Sequence, residues 1–291
     1  MKGSRLISEL IKGEWLLDFH NIGSYMPLVD KILAGGTFSE SVTPKSILTY
    51  IDSKGQQLSK NNDGEVEVTK GSIAIVSMVG EIVKYGDWCV YGADEIVAAL
   101  TAADRNKNVI ATIFKIDGPG GAVAAIGPFK SFAEYIKTKP IIGLCDQALS
   151  LHYWTAVEVC DHIMADNDVS ARFGSVGVVL TFADTRKAME AQGVVFHEIY
   201  PEESSEKNLP FILAREGKYD KIKDEFLSPL AKKFQERVRF KLPNLIEEEG
   251  TLKGKTYFAD KALALKMIHS IGGMEKAIRM AITLSSINNY K

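Results

Sequence analysis

Short apolar runs alternate with amphipathic segments over most of the chain. From Gly71 onward, runs rich in β-branched residues, such as Ser72–Val79 and 109–116, predict buried strands. Between them, segment 92–104 carries apolar residues at the three- and four-residue spacing of an amphipathic helix. Strands that alternate with helices of about 10 to 15 residues are typical of right-handed crossovers and a mostly parallel sheet. We therefore predict an α/β fold whose functional loops follow the carboxyl ends of the strands.

The same pattern predicts the remaining elements. Further strands are expected at 140–145, 162–165, 177–182 and 194–200. Further helices are expected at 123–137, 152–159, 183–192, 220–242, 259–268 and 273–284. The helix at 152–159 follows the strand at 140–145, so the residues between the two belong to the functional edge of the sheet.

The beginning of the chain predicts a separate helical appendage. Apolar residues recur at helical spacing in 14–20 and 26–33, and two glycines end the second segment. The polar stretch 53–64, SKGQQLSKNNDG, has the composition of a linker or an exposed loop. We therefore assign 1–64 to an N-terminal helical appendage with its linker, and 65–291 to the main domain.

Charge and composition exclude several classes of protein. The chain has 35 Lys and Arg against 37 Asp and Glu, a net charge of -2, so no strong positive field attracts nucleic acid or an anionic membrane. Its 46% apolar and 25% charged residues are typical of a globular protein. No apolar run is long enough for a membrane-spanning helix or for the core of a signal peptide. We expect a cytoplasmic protein without an integral membrane segment.

Metal-binding and disulfide patterns are missing from the sequence. The three cysteines, Cys89, Cys145 and Cys160, form no CxxC pair and so indicate neither a disulfide framework nor a zinc ribbon. The five histidines include no HExxH and no pair at metal-ligand spacing. The sequence therefore predicts no metal and no cofactor.

The glycine-rich segment 117–121, DGPGG, follows a predicted strand and opens a helix. Glycines let the backbone approach a ligand, and free N–H groups at a helix start stabilise negative charge. The segment matches neither a dinucleotide fingerprint nor a P-loop, because Val123 stands at the third glycine and no Lys-Ser/Thr follows. A phosphate site, an oxyanion hole and a plain turn all remain open. The segment 250–256, GTLKGKT, also contains two glycines and is expected to be a turn.

Ser150 lies between the strand 140–145 and the helix 152–159. A serine in this position is either an N-cap of the helix or a nucleophile that needs a general base. His152 is the one histidine next to such a junction. Position alone does not distinguish the two roles of Ser150.

Four motifs, taken together, resemble a known family. They are IDGPGG at 116–121, ALSLHYW at 148–154, RFGSVGV at 172–178 and TYFADKALAL at 256–265. In order and spacing they are similar to the signal-peptide-peptidase-A-type serine peptidases, over about residues 70–280. The N-terminal appendage and the RFGS form resemble the phage and prophage branch, which includes prohead proteases. The resemblance implies a ClpP/crotonase-like spiral of strand-strand-helix units with additional N-terminal and C-terminal helices.

The resemblance also implies roles for individual residues. Ser150 matches the nucleophile of a serine/lysine dyad, and the N–H groups of Gly120 and Gly121 match the oxyanion hole. Ser175 matches the serine that orients the lysine. The implied reaction is peptide-bond hydrolysis through an acyl-enzyme, in a phage or prophage capsid-maturation protease.

Two lysines are candidates for the base of this dyad. Lys207 lies 57 residues after Ser150 and within ten residues of the end of the predicted strand 194–200, as the family pattern requires. Lys218 lies 68 residues after Ser150, and its GKYD context also resembles the glycine-lysine segment of the family. We favour Lys207 and keep Lys218 as the alternative.

One departure from the family pattern keeps other functions open. Two small residues usually follow the nucleophile, whereas here they are Leu151 and His152. These side chains could narrow the cleft, or His152 could take part in proton transfer. An inactive scaffold or assembly component and a crotonase-like acyl-CoA enzyme are therefore the alternatives. The partners expected are a peptide or protein substrate, further copies of the chain in a homo-oligomer, and capsid or scaffold proteins, but not nucleic acid.

Overall fold

The structure, a computed structural model, describes residues 46–59, 61, 66–86, 91–182 and 184–288, together with the backbone of 14–17. Its strands are β1 Glu14–Leu17, β2 Leu48–Ile51, β3 Ser72–Val79, β4 Val109–Gly118, β5 Gly120–Ala122, β6 Ile141–Leu149, β7 His162–Ala165, β8 Arg172–Gly174, β9 Val179–Leu180, β10 Thr256–Phe258 and β11 Ser270–Ile271. Its α-helices are α1 Ala93–Arg105, α2 Ile126–Tyr135, α3 Leu151–Val159, α4 Arg186–Ala191, α5 Leu209–Arg215, α6 Asp220–Ile222, α7 Ser228–Lys241, α8 Ala259–Ala264 and α9 Met274–Asn288. A π-helical turn, Lys223–Leu227, joins α6 to α7.

The main sheet is mostly parallel. Its strands follow the order β10-β8-β6-β4-β3-β2, and β7 and β11 extend from β6. All pairs between β3, β4, β6, β7, β8 and β11 are parallel, whereas β2 and β10 pair antiparallel to their neighbours. The predicted α/β fold class is confirmed. A second, small sheet has the order β5-β1-β9.

Apolar side chains cover both faces of the main sheet. On one face, Phe114 of β4 belongs to a core that also contains α2, α3 and α7. On the other face, Ile113 of the same strand packs in a core with α9. Successive residues of a strand point to opposite faces, so an apolar strand of this kind must be buried on both sides. The continuous apolar runs in the sequence reflect this double burial.

Two sequence predictions about local structure are wrong. Residues 194–200 form no strand: they pair with no described strand, and Val195 and Ile199 are 73% and 91% exposed. An apolar run becomes a strand only where the edge of a neighbouring strand accepts its hydrogen bonds. None of the described strands offers such an edge to 194–200. Conversely, Glu14–Leu17 forms strand β1 where the pattern of 14–20 predicts a helix, because β5 and β9 supply ladder partners on both sides.

The start of the main sheet lies before the predicted linker. Strand β2 pairs antiparallel with β3, and the Asp52 side chain accepts the N–H groups of Lys54 and Gln56 in the turn that follows. Part of the polar stretch 53–64 is therefore a turn at the sheet edge. The predicted helix 26–33 lies outside the described residues, and the division into 1–64 and 65–291 stays a prediction.

Candidate active site

Ser150 occupies a strained turn between β6 and α3. Its backbone has φ 54° and ψ −116°, a region that non-glycine residues rarely adopt. The Ser150 N–H donates to the Gly174 carbonyl at 2.8 Å, and the Ser150 carbonyl accepts the Trp154 N–H at 3.0 Å. Such a conformation costs about 1 to 3 kcal/mol and clusters at functional sites. In the α/β-hydrolases, a sharp and strained strand-to-helix turn presents the nucleophilic serine.

The Ser150 side chain does not act as a helix cap. Its hydroxyl makes no capping hydrogen bond to the first turn of α3, although the residue precedes that helix directly. The residue as a whole is only 1% exposed. The capping role that the sequence left open is therefore absent, and the strained backbone needs another explanation.

The glycine segment lies beside this turn. Gly118 is paired with Ala148 in the parallel ladder between β4 and β6, two residues before Ser150. A Cβ atom at Gly118 would collide with the His152 ring and the Gly80 carbonyl, and one at Gly121 would collide with the Ile82 carbonyl. Close backbone approach therefore requires glycine at both positions.

The hydrogen bonds of β5 show where its free groups point. The Gly120 carbonyl accepts the Ile82 N–H at 3.2 Å, and the Ala122 N–H donates to the Ile82 carbonyl at 2.9 Å. Since backbone groups alternate sides along a strand, the N–H and carbonyl of Gly121 face away from Ile82. On that side, Gly121 is paired with Leu16 of β1. Of the two N–H groups that the resemblance assigns to the oxyanion hole, that of Gly121 thus faces the space that β1 occupies, and the role of Gly120 stays a prediction.

Ser175 lies next to the Ser150 turn. It follows Gly174, whose carbonyl holds the Ser150 N–H, and its own N–H donates to the Lys255 carbonyl at 2.8 Å. Ser175 also has a positive φ of 53°, although it is not glycine. The structure therefore brings Ser150, Ser175 and the glycine segment to one edge of the sheet.

Neither candidate lysine contacts Ser150. Lys207 is exposed in the turn before α5, and its N–H donates to the Ser204 carbonyl. The Lys218 side chain is 67% exposed and pairs with Glu216 at 2.8 Å. The structure does not assemble a serine/lysine dyad within the described residues, and the assignment of the base stays a prediction.

Leu151 and His152, the departure from the family pattern, are fully buried. The His152 ring lies against Gly118 and the Gly80 carbonyl, and neither ring nitrogen has a hydrogen bond of good geometry with a described residue. Burial lowers the pKa of His152 to about 3, so its ring is uncharged at neutral pH. Both large side chains are therefore part of the packed interior.

We expect the buried histidines to make the fold sensitive to acid. Burial lowers the pKa of His152 to about 3, and burial with the neighbouring His269 lowers that of His162 to about 4. Below the ordinary histidine pKa of about 6.5, these side chains bind protons in the unfolded chain but stay uncharged in the folded protein. The free energy of unfolding should therefore fall as the pH drops from 6.5 toward 4, by up to about 1.4 kcal/mol per pH unit for His152.

Urea unfolding at pH 7.0, 5.5 and 4.5 measures this slope. The variant His152→Leu should flatten it, whereas His197→Leu, at an exposed histidine, should leave it unchanged. An equal slope in wild type and His152→Leu would contradict the contribution of His152.

The described residues contain neither a metal-binding cluster nor a membrane-spanning helix. Within them, no group of three or more His, Cys, Asp or Glu side chains is arranged to hold a metal ion. Likewise, none of the helices in the part of the chain that the structure describes is long and apolar enough to cross a membrane.

Comparisons with known proteins give similarity to solved structures alone. No family profile matches the chain, and no curated protein matches it. An enoyl-CoA hydratase/isomerase from Acinetobacter baumannii is 16% identical, with 76% of this chain and 79% of that chain covered and a TM-score of 0.40. A variant of the 1510-N membrane-bound stomatin-specific protease, in complex with a substrate peptide, is 15% identical, with 71% and 78% covered and a TM-score of 0.39.

A second variant of that protease is 14% identical, with 74% of this chain and 86% of that chain covered and a TM-score of 0.41. Similarity at this level identifies no activity for this chain.

Proposed function

We propose that the protein is a serine endopeptidase in which Ser150 is the nucleophile. The observation that carries the proposal is the strained turn of Ser150 beside a glycine strand whose Gly121 N–H faces an extended segment. A serine without a capping role is held there at the carboxyl edge of the sheet, where α/β proteins place their active sites.

The proposed reaction follows from the chemistry of these groups. A base takes the Ser150 proton, and the hydroxyl oxygen attacks the carbonyl carbon of a peptide bond. The N–H groups of Gly120 and Gly121 stabilise the oxyanion, and the loss of one such donor typically costs about 3 to 4 kcal/mol. The leaving amine receives the proton, and water then hydrolyses the acyl-enzyme.

The proposed base is Lys207, with Lys218 as the alternative and Ser175 as the residue that orients it. A solvated lysine is protonated at neutral pH, so the base must be buried next to Ser150 in the working enzyme. Lys207 follows the exposed apolar segment 194–200. The segment 194–200 could be covered by the rest of its own domain or by a neighbouring copy in a homo-oligomer. Either contact would bury apolar surface and would also desolvate Lys207.

The proposed biological role is capsid maturation in a phage or prophage. The substrates would then be capsid or scaffold proteins in the cytoplasm. The exposure of both lysines favours one second candidate, an inactive assembly component of the same fold. An acyl-CoA enzyme would leave Ser150 and Ser175 without a task.

Labelling with a fluorophosphonate probe, followed by intact mass, tests the proposed function. We expect the wild-type chain to gain one label and Ser150→Ala to gain none. Lys207→Ala should label at least about 100-fold more slowly, because the serine loses its base. Lys218→Ala is the matched control and should label like wild type. Folded protein that takes no label in any variant would favour the inactive component, and loss of labelling in Lys218→Ala alone would reassign the base.

A further inference from the structure

Strand β1 lies between β5, which carries the glycines of the candidate active site, and β9. Trp15, Leu16 and Leu17 are paired antiparallel with Ala122, Gly121 and Gly120 of β5. On the other side, Glu14 and Trp15 are paired antiparallel with Leu180 and Val179 of β9. A segment from near the start of the chain is thus the central strand of a three-stranded sheet.

The groove between β5 and β9 has the form of a peptide site. An extended peptide that adds a strand to an open edge gains affinity from main-chain hydrogen bonds, whatever its sequence. Here two edges face each other, so a strand between them can bond on both sides. The N–H and carbonyl of Gly121 point into this groove, as their geometry relative to Ile82 requires.

The direction of β1 brings its carboxyl end toward the nucleophile. Because β1 is antiparallel to β5, the chain runs from Ala122 at Trp15 to Gly120 at Leu17. Gly120 is the end of β5 nearest to Gly118, which is paired with Ala148 just before Ser150. Leu17, the carboxyl end of β1, therefore lies at the end of the groove nearest to the Ser150 turn.

We propose that Glu14–Leu17 is an internal occupant of the peptide groove and blocks it against other peptides. This inference rests on the proposed function, because it takes the groove as the substrate site of the peptidase. A tethered segment has an effective concentration of about millimolar, so it excludes free peptides of equal intrinsic affinity at micromolar concentrations. The occupant also defines the class of ligand, an extended peptide with consecutive apolar residues, here Trp-Leu-Leu.

Hydrogen exchange of the full-length chain tests where β1 lies. In Leu16→Pro the residue paired with Gly121 loses its N–H, so the amides of Gly121 and of β9 should exchange about tenfold faster or more. Leu16→Ala is the matched control, because it keeps the N–H and the ladder, and it should exchange like wild type. Unchanged exchange at Gly121 and over 179–180 in Leu16→Pro would overturn the inference.

Peptide access tests the block itself. All chains carry Ser150→Ala, which prevents turnover, and the probe is a fluorescein-labelled peptide with the sequence of 12–19, KGEWLLDF. Fluorescence anisotropy should show at least about tenfold tighter binding by Leu16→Pro than by the unmodified or Leu16→Ala chain. Equal binding by all three chains would overturn the block.

Two further outcomes separate this inference from the proposed function. Faster exchange and tighter peptide binding in Leu16→Pro, with no fluorophosphonate label on Ser150 in wild type or in Leu16→Pro, would uphold the block and reject the peptidase. Conversely, loss of the first residues of the chain by cleavage near Leu17, seen by intact mass in wild type but not in Ser150→Ala, would overturn the block, because the segment would then be a substrate.

Discussion

Replacing Ser150 with alanine is expected to lower the hydrolysis of a quenched fluorescent casein by about 10⁴-fold or more, since an acyl-enzyme cannot form without the hydroxyl. The comparison is made in the Leu16→Pro background, because an occupied groove would mask hydrolysis by chains that keep Leu16. The initial rate of fluorescence increase is the measured quantity.

The control for this prediction is Ser150→Gly. Glycine adopts a φ of 54° without the steric penalty of a Cβ atom, so this variant should be at least as stable to urea as wild type while hydrolysis is lost. Casein hydrolysis that persists in both variants, at the wild-type rate, would exclude Ser150 as the nucleophile.

Replacing Arg237 with alanine is expected to lower the free energy of unfolding by about 3 to 5 kcal/mol, because it leaves a buried carboxylate without its partner. Glu158 of α3 is only 1% exposed, and the Arg237 guanidinium of α7 donates to its two carboxylate oxygens at 2.6 and 2.5 Å. These bonds also raise the pKa of Arg237, which stays charged. Urea unfolding at pH 7 gives the change.

Arg239→Ala is the matched control for Arg237→Ala. Arg239 lies on the same helix and makes a similar two-fold bond to Glu247, but both side chains of this pair are largely exposed. An exposed pair contributes about 0 to 1 kcal/mol, so this variant should be nearly as stable as wild type. Equal losses in the two variants would contradict the argument from burial.

Local patterns were sufficient to predict the repeating strands and helices. The apolar runs of β3, β4 and β7 are flanked by glycines or polar residues, and their identity follows from each run alone. The sheet edge on which Ser150 lies can also be predicted, because the alternation of strands and helices places the loops after the strands at one edge. The position of the candidate nucleophile was therefore accessible from the sequence.

Other features depend on partners far away along the chain. Four residues with the letters EWLL fit a helix as well as a strand, and the edges of β5 and β9, more than 100 residues later, decide for the strand. The segment 194–200 is the opposite case: its apolar residues fit a strand, but it pairs with none of the described strands. A lysine's distance from a predicted strand end likewise says little about its contacts when that strand is absent.

Helix α3 has no exposed face, because all nine residues of Leu151–Val159 are buried. A surface helix can fray or swing while the rest of a domain stays folded, but a helix enclosed on every side opens only when its surroundings open too. Ser150 directly precedes this enclosed helix, and its carbonyl accepts the Trp154 N–H in the first turn. The geometry around the candidate nucleophile is therefore a property of the entire cooperative unit, and regulation must act on access to it rather than on its shape.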